Sequence, residues 1–223
     1  MKYWYMDIKV SENTTVVFDL DDTLYNELDF LKSAYISIAK ELDPKGWQQL
    51  YVLMFSLYRN NKDVFEVIST KYGHNKTLLI QMYRDHTPNI TLFKGVLDTI
   101  KAILAKNGKV GILTDGRSHT QRNKIKALGL NDFVDFIVIS EEVGSEKPNP
   151  NNFKIIEAKS NSEVHYYIGD NLKKDFIAPN TLGWKTICLI DSGLNIHNDG
   201  YRHLTKQQTP QHYIFAIEEL DII

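Results

Sequence analysis

Residues 16–25 read Val-Val-Phe-Asp-Leu-Asp-Asp-Thr-Leu-Tyr, an apolar run that stops abruptly in three carboxylates and a threonine. A short β-branched and aromatic run of this kind is the pattern of a buried strand. Central strands of parallel sheets are hydrophobic on both faces, and open α/β sheets bind ligands beyond the carboxyl ends of their strands. Asp19 and Asp21 are therefore expected to project into a cleft. Lying two residues apart, their carboxylates can converge on one hard cation, which takes oxygen ligands and can bridge them to a phosphate. The plainer alternative is that Asp21, Asp22 and Thr23 only form a turn, where such residues are common.

The remainder of the chain decides between these readings. Its 223 residues suffice for one large domain, or for a core with an insertion. A hydrophobic content of 43% and a charged content of 24% are those of a globular protein. The formal net charge of -2 gives no general attraction to nucleic acid or anionic lipid. Cys188, the single cysteine, cannot form an internal disulfide, and its apolar surroundings mark it as a core residue. No stretch reaches membrane-spanning length and residues 1–7 lack the apolar core of a signal peptide, so a cytoplasmic location is expected.

Beyond the acidic strand end the periodicity turns helical. Leu31, Ala34, Tyr35, Ile38, Ala39 and Leu42 form one stripe, and Leu50, Leu53, Met54, Leu57 and Tyr58 form a second. A third helix is expected over Val64–Tyr72, closed by Gly73, and a fourth around Leu78–Tyr83. From Phe93 onward strands and helices alternate. Strands are expected at Val110–Leu113, Phe136–Ile139, Tyr166–Ile168 and Thr186–Ile190. Helices are expected at Ser118–Leu128, Phe153–Lys159 and Leu172–Leu182, the last awkwardly containing Pro179, with an edge strand around Tyr213–Phe215. Regular alternation predicts an α/β fold with a doubly wound parallel sheet.

The first two strand ends, Asp19 and Thr114, are separated by far more than the roughly thirty residues of a βαβ unit. The helical stretch is thus an insertion. This predicts a Rossmann-like core from residues 1–24 and 93–223, with a helical-bundle cap at 25–92 acting as a lid that excludes water.

Each strand then ends in something chemically useful. The second offers Thr114 and the backbone N–H groups of Asp115 and Gly116, suited to an anion. The third is followed by a loop carrying Lys147 beside Pro148, and the fourth by Gly169-Asp170-Asn171 with Asp175 further on. Carboxylates, a lysine and a threonine gathered at one edge fit a divalent metal paired with a phosphate. Singly, Lys147 reads as a surface charge, and Asp170 and Asp175 as helix-terminal carboxylates.

In their order, these four segments resemble the haloacid dehalogenase-like hydrolases, in particular the phosphatases with a helical cap inserted after the first motif. The resemblance runs from Val16 to about Ile190. It implies Asp19 as a nucleophile forming an aspartyl-phosphate and Asp21 as general acid, then base. The neighbouring carboxylate is expected to help Asp21 keep a proton. The same resemblance implies Mg2+ held by the Asp19 carboxylate, the Asp21 carbonyl and Asp170, with Asp175 in support, and Thr114 and Lys147 on the phosphoryl oxygens. Dehalogenases resemble the chain but lack the second catalytic carboxylate, so Asp21 favours phosphate chemistry. The expected substrate is a small phosphorylated metabolite: a sugar phosphate, a nucleoside monophosphate or a phospho-acid. A phosphomutase on the same core, or a catalytically quiet Mg2+-dependent binding module, are the alternatives. Tyr25, Asn26, Arg59, Lys62 and Arg117 are candidates to reach the substrate.

Overall fold

The first acidic strand is the hub of the fold. In the computed structural model, which describes residues 5–223, β1 (Met6–Ile8) precedes β2 (Thr14–Phe18), all five of whose residues are buried. The helices α1 (Glu27–Leu42), α2 (Trp47–Arg59), α3 (Val64–Tyr72) and α4 (Lys76–Asp85) follow. Then come α5 (Val96–Ala105), β3 (Lys109–Thr114), α6 (Ser118–Ala127), β4 (Phe136–Ile139) and a helical turn α7 (Ser140–Val143). The chain continues through α8 (Pro150–Ser160), β5 (Val164–Gly169), α9 (Ile177–Leu182), β6 (Lys185–Leu189), β7 (His212–Ile214) and β8 (Leu220–Ile222).

Six strands form a parallel sheet in the order β4-β3-β2-β5-β6-β7. The chain winds outward from β2 through β3 and β4, then returns to the other side of β2 for β5, β6 and β7. The switch point of the doubly wound fold lies there, where a crevice opens at the strand ends. Register fixes which ends meet: Phe18 lies opposite Ile112 and Ile168, and the Asp19 N–H donates to the Ile168 carbonyl at 2.8 Å.

Alternate residues of the strands fill two cores. Val16, Phe18, Ile112 and Ile168 face one layer with Ile100 and Ile103 of α5. Val17, Leu113, Val138 and Tyr167 face the other with Phe153 and Ile156 of α8. Cys188 is buried in this second core. The inserted helices have a core of their own, in which Ile38, Met54, Ile68 and Leu79 bury the predicted stripes.

The structure departs from the periodicity in three places. Residues 172–175 are a turn, not the start of α9. The Asp175 carboxylate accepts from the Asn171 N–H at 2.9 Å and the Asn171 side chain from the Lys173 N–H at 3.0 Å, local bonds that compete with helix. Pro179 consequently sits in the first turn of α9, where its missing N–H would have had no intrahelical partner. Secondly, α8 starts at Pro150 because Asn149 caps it, its side chain accepting from the Asn151 N–H at 2.9 Å. Thirdly, the tail does more than provide the edge strand β7: β8 pairs in parallel with β1 to form a separate two-stranded sheet. Among the described residues, no helix is long and apolar enough to cross a membrane.

Replacing the fully buried Ile112 of β3 by alanine is expected to cost about 2–5 kcal/mol, read as a lower urea midpoint. Leu78→Ala, at a half-exposed position in α4, is expected to stay within about 0.5–1 kcal/mol of the parent protein.

Candidate active site

A buried lysine organises the site. The Lys147 ammonium is 2.8 Å from Asp19 Oδ1, 2.8 Å from Asp175 Oδ1 and 3.0 Å from the Tyr167 hydroxyl. Its three N–H donors thus have three acceptors in a fully buried position. Burial opposes its charge, but Asp175 and Asp19 more than compensate and hold the ammonium well above its ordinary range. Asp115 anchors the lysine's backbone by accepting from its N–H at 3.0 Å.

Carboxyl oxygens of Asp19, Asp170 and Asp175 lie within 4.8 Å of one another. Gly169 permits this approach, since a Cβ there would stand 2.5 Å from Asp175 Oδ2. Burial, partly offset by Lys147 and aggravated by Asp175, pushes Asp19 up to about 7. Burial and the charges of Asp175 and Asp19 likewise raise Asp170 well above the usual carboxylate range. A cluster of hard oxygen donors whose mutual repulsion a cation would relieve fits a divalent ion such as Mg2+.

Asp21 stands in the opposite environment. Lys124 of α6 donates to its Oδ1 at 2.7 Å, the Tyr25 hydroxyl donates to the same oxygen, and Gln121 donates to Oδ2 at 2.8 Å. Burial works against the charge, yet Lys124 and these hydrogen bonds hold Asp21 below its ordinary value. The expectation that a neighbouring carboxylate preserves a proton on Asp21 is therefore corrected. The repulsion acts on Asp19 and Asp170, whereas Asp21 has its own cation. Asp21's carboxylate also lies outside the three-carboxylate cluster.

The Thr114 hydroxyl accepts from Gln121 at 2.6 Å. Gly116 is a second correction: its N–H donates to the Ser140 hydroxyl at 2.9 Å and is not free for an anion. Asp115 takes part through its carboxylate, which also accepts from Lys174 at 2.8 Å. Asp22 unites the turn and site readings. With φ of 54° it adopts the left-handed turn conformation that Asp tolerates, and its two oxygens accept from the N–H groups of Glu27 and Ile196.

Asp19, Asp21, Asp22, Glu27, Thr114, Asp115, Asp170, Asn171, Lys174 and His197 line one cavity of about 110 Å3. Among the residues considered for substrate contact, Tyr25 is buried on Asp21, Asn26 caps α1 through the Leu28 N–H, and Arg117 is paired with Glu141 at 2.6 Å. Arg59 instead lines a separate cavity of about 380 Å3 between α2 and residues 193–198, and Lys62 is exposed. Gln121, Lys124, Lys174, Glu27 and Asn195, whose amide donates to Asp170 at 2.8 Å, escaped the sequence reading. One signal was present for the first two: α6 reads SHTQRNKIKA, too polar for an ordinary amphipathic helix, and buries Gln121 and Lys124.

With this geometry in place, comparison with known proteins assigns the class. The sequence model described as haloacid dehalogenase-like hydrolase matches residues 16–189, and the chain belongs to that family. The glyceraldehyde 3-phosphate phosphatase of Methanocaldococcus jannaschii is 25% identical over 226 residues, covering 93% of this chain and 96% of the relative. The pyrophosphatase PpaX of Bacillus pumilus is 29% identical, over 77% of this chain and 81% of the relative. The fold resembles that of a phosphatase of the same superfamily from Thermococcus onnurineus, with a TM-score of 0.61 and 19% identity over 92% of this chain and 95% of that one.

A pH dependence of stability follows. Asp19 and Asp22, pushed up to about 7 and about 6, bind protons more readily folded than unfolded. Their stabilising contribution is complete below the ordinary value of 3.8 and lost as pH rises through 6 to 7. EDTA-treated protein is expected to lose melting temperature on this account between about pH 5 and about pH 8. Asp19→Asn should flatten that fall in thermal scans across the same range.

Proposed function

We propose that this hydrolase is a Mg2+-dependent phosphatase of a small phosphomonoester, acting through an aspartyl-phosphate on Asp19. The observation that carries the reading is the Asp19 carboxylate, buried at the sheet's switch point, paired with Lys147 and clustered with Asp170 and Asp175. The phosphatase names of the curated relatives support it, as does the second carboxylate, Asp21.

Asp19, Asp170 and Asp175 would hold the Mg2+, with the Asp21 carbonyl as a further oxygen ligand. When bound, the ion supplies charge neutralisation between the carboxylates and an incoming phosphoryl group. In the first half-reaction an Asp19 carboxylate oxygen attacks phosphorus in line, the bond from phosphorus to the leaving oxygen breaks, and that oxygen takes, through Asp21, the proton that a monoanionic phosphate ester brings with it. In the second half Asp21, as carboxylate, accepts a proton from the water that attacks phosphorus, and the bond from phosphorus to Asp19 breaks. This second role matches the ionised form that Lys124 and Gln121 favour. Lys147 keeps a fixed positive charge against Asp19 as charge redistributes, and Thr114 offers a hydroxyl to a phosphoryl oxygen.

A cavity of about 110 Å3 lies well under the roughly 300–1,000 Å3 of sites for drug-sized ligands, which supports a small substrate. The inserted helices act as the cap that limits entry, with Glu27 of α1 lining the cavity.

The test is phosphate release from a panel of sugar phosphates, nucleoside monophosphates, phospho-acids and pyrophosphate. Mg2+-dependent release is expected, abolished by EDTA and reduced by at least about 1,000-fold in Asp19→Asn. A folded enzyme that binds Mg2+ but releases no phosphate from any member would overturn the reading.

A further inference from the structure

Lys124 touches no reacting atom in the chemistry described above, yet its side chain is only 4% exposed. A buried ammonium is costly unless it is paired. Its partner is Asp21 Oδ1 at 2.7 Å, with Glu27 Oε1 at 4.0 Å and the Phe30 ring face 4.5 Å from the nitrogen. Glu27 and Phe30 belong to α1, so one lysine on the core helix α6 meets both the catalytic segment and the first inserted helix. One turn earlier on α6, Gln121 uses its amide nitrogen twice, donating to Asp21 Oδ2 at 2.8 Å and to Thr114 Oγ1 at 2.6 Å. Residues three apart lie on the same helix face. Together they grip both oxygens of one carboxylate and tie it to Thr114 at the end of β3.

We infer that Lys124 and Gln121 are the positioning pair that aims Asp21 at the water attacking the phosphoryl group. The inference rests on the proposed Asp19 phosphoenzyme. Hydrolysis of that intermediate forms a bond from phosphorus to the water oxygen, breaks the one to Asp19, and moves one proton from water to Asp21. Whether that proton transfer is productive depends on where the Asp21 oxygens point. Without Lys124 and Gln121, the Tyr25 hydroxyl would hold Oδ1 and neither side chain of α6 would hold Oδ2. Lys124 also couples this aim to α1, because Phe30 and Glu27 close over the ammonium.

The test separates formation of the intermediate from its hydrolysis. With para-nitrophenyl phosphate and Mg2+, the leaving phenolate departs without needing a proton, so formation is insensitive to Asp21. Lys124→Met is expected to retain the initial release of nitrophenol while slowing turnover by about 10- to 100-fold. Acid-quenched phosphoenzyme should accumulate accordingly. A folded Lys124→Met enzyme that turns over like the parent, or that loses initial and steady release in equal proportion, would overturn the inference. Should Lys124→Met not fold, Gln121→Leu gives the same separation of initial and steady release and is judged by the same outcomes. Parent enzyme that releases no nitrophenol overturns the phosphatase reading itself, an outcome distinct from an active parent with unaltered variants.

Discussion

The ion triad of Lys147, Asp19 and Asp175 is the constraint around which the rest of the site is arranged. Its ammonium is fully enclosed, with a carboxylate at 2.8 Å on either side. Such a group can exist only if every neighbouring element delivers an acceptor to the same point. Strand β2 delivers Asp19, β5 delivers the Tyr167 hydroxyl, and the turn after β5 delivers Asp175. That turn cannot be helical without withdrawing the Asp175 carboxylate from the Asn171 N–H, and Gly169 cannot carry a side chain without displacing it. Local backbone, sequence identity and buried charge are thus fixed by one requirement.

Two carboxylates two residues apart are driven in opposite directions by the same fold. Asp19 points toward Asp170 and Asp175, and burial in that company favours its proton. Asp21 points toward α6, whose Lys124 and Gln121, together with Tyr25 from its own turn, favour its charge. Separated environments for neighbouring acids are how one site supports distinct acid, base and nucleophilic roles. The separation originates in strand geometry, since the chain leaves the sheet at Asp19 and Asp21 is carried toward the neighbouring crossover helix.

The gathering of these polar residues was legible because they stand at strand ends. Continuous hydrophobic runs located the strands, and whatever polar residue ended each run had to face the crevice, which exposed Asp19, Thr114 and Asp170. Lys147, in the loop after β4, was found by its neighbours in order, not by periodicity. What escaped depended on contacts between distant segments. Lys124 lies 103 residues from Asp21 and Asn195 lies 25 from Asp170, and apart from the unusual polarity of α6 nothing local to either residue points to these partners. The extent of α9 was misjudged for a related reason: helical spacing of apolar residues persists through 172–175, while side-chain bonds to the backbone decide the actual conformation there.

The inserted helices and the sheet divide the work differently from a simple lid over a finished pocket. The cap has its own apolar core around Ile38, Met54 and Ile68, separate from the buried charges at the strand ends. Its junction with the core is largely polar. Asp22 accepts from Glu27 on one side and from Ile196 on the other, and Ile196 in turn packs against the cap's apolar cluster. Asn195, the residue before it, donates to Asp170. A short segment after β6 therefore touches the inserted helices, the turn after Asp19 and the acidic cluster within two consecutive residues. Any displacement of the cap that shifts Ile196 acts on the turn following Asp19 and on Asp170 together, so the seating of the cap and the placement of these acids are linked through one segment.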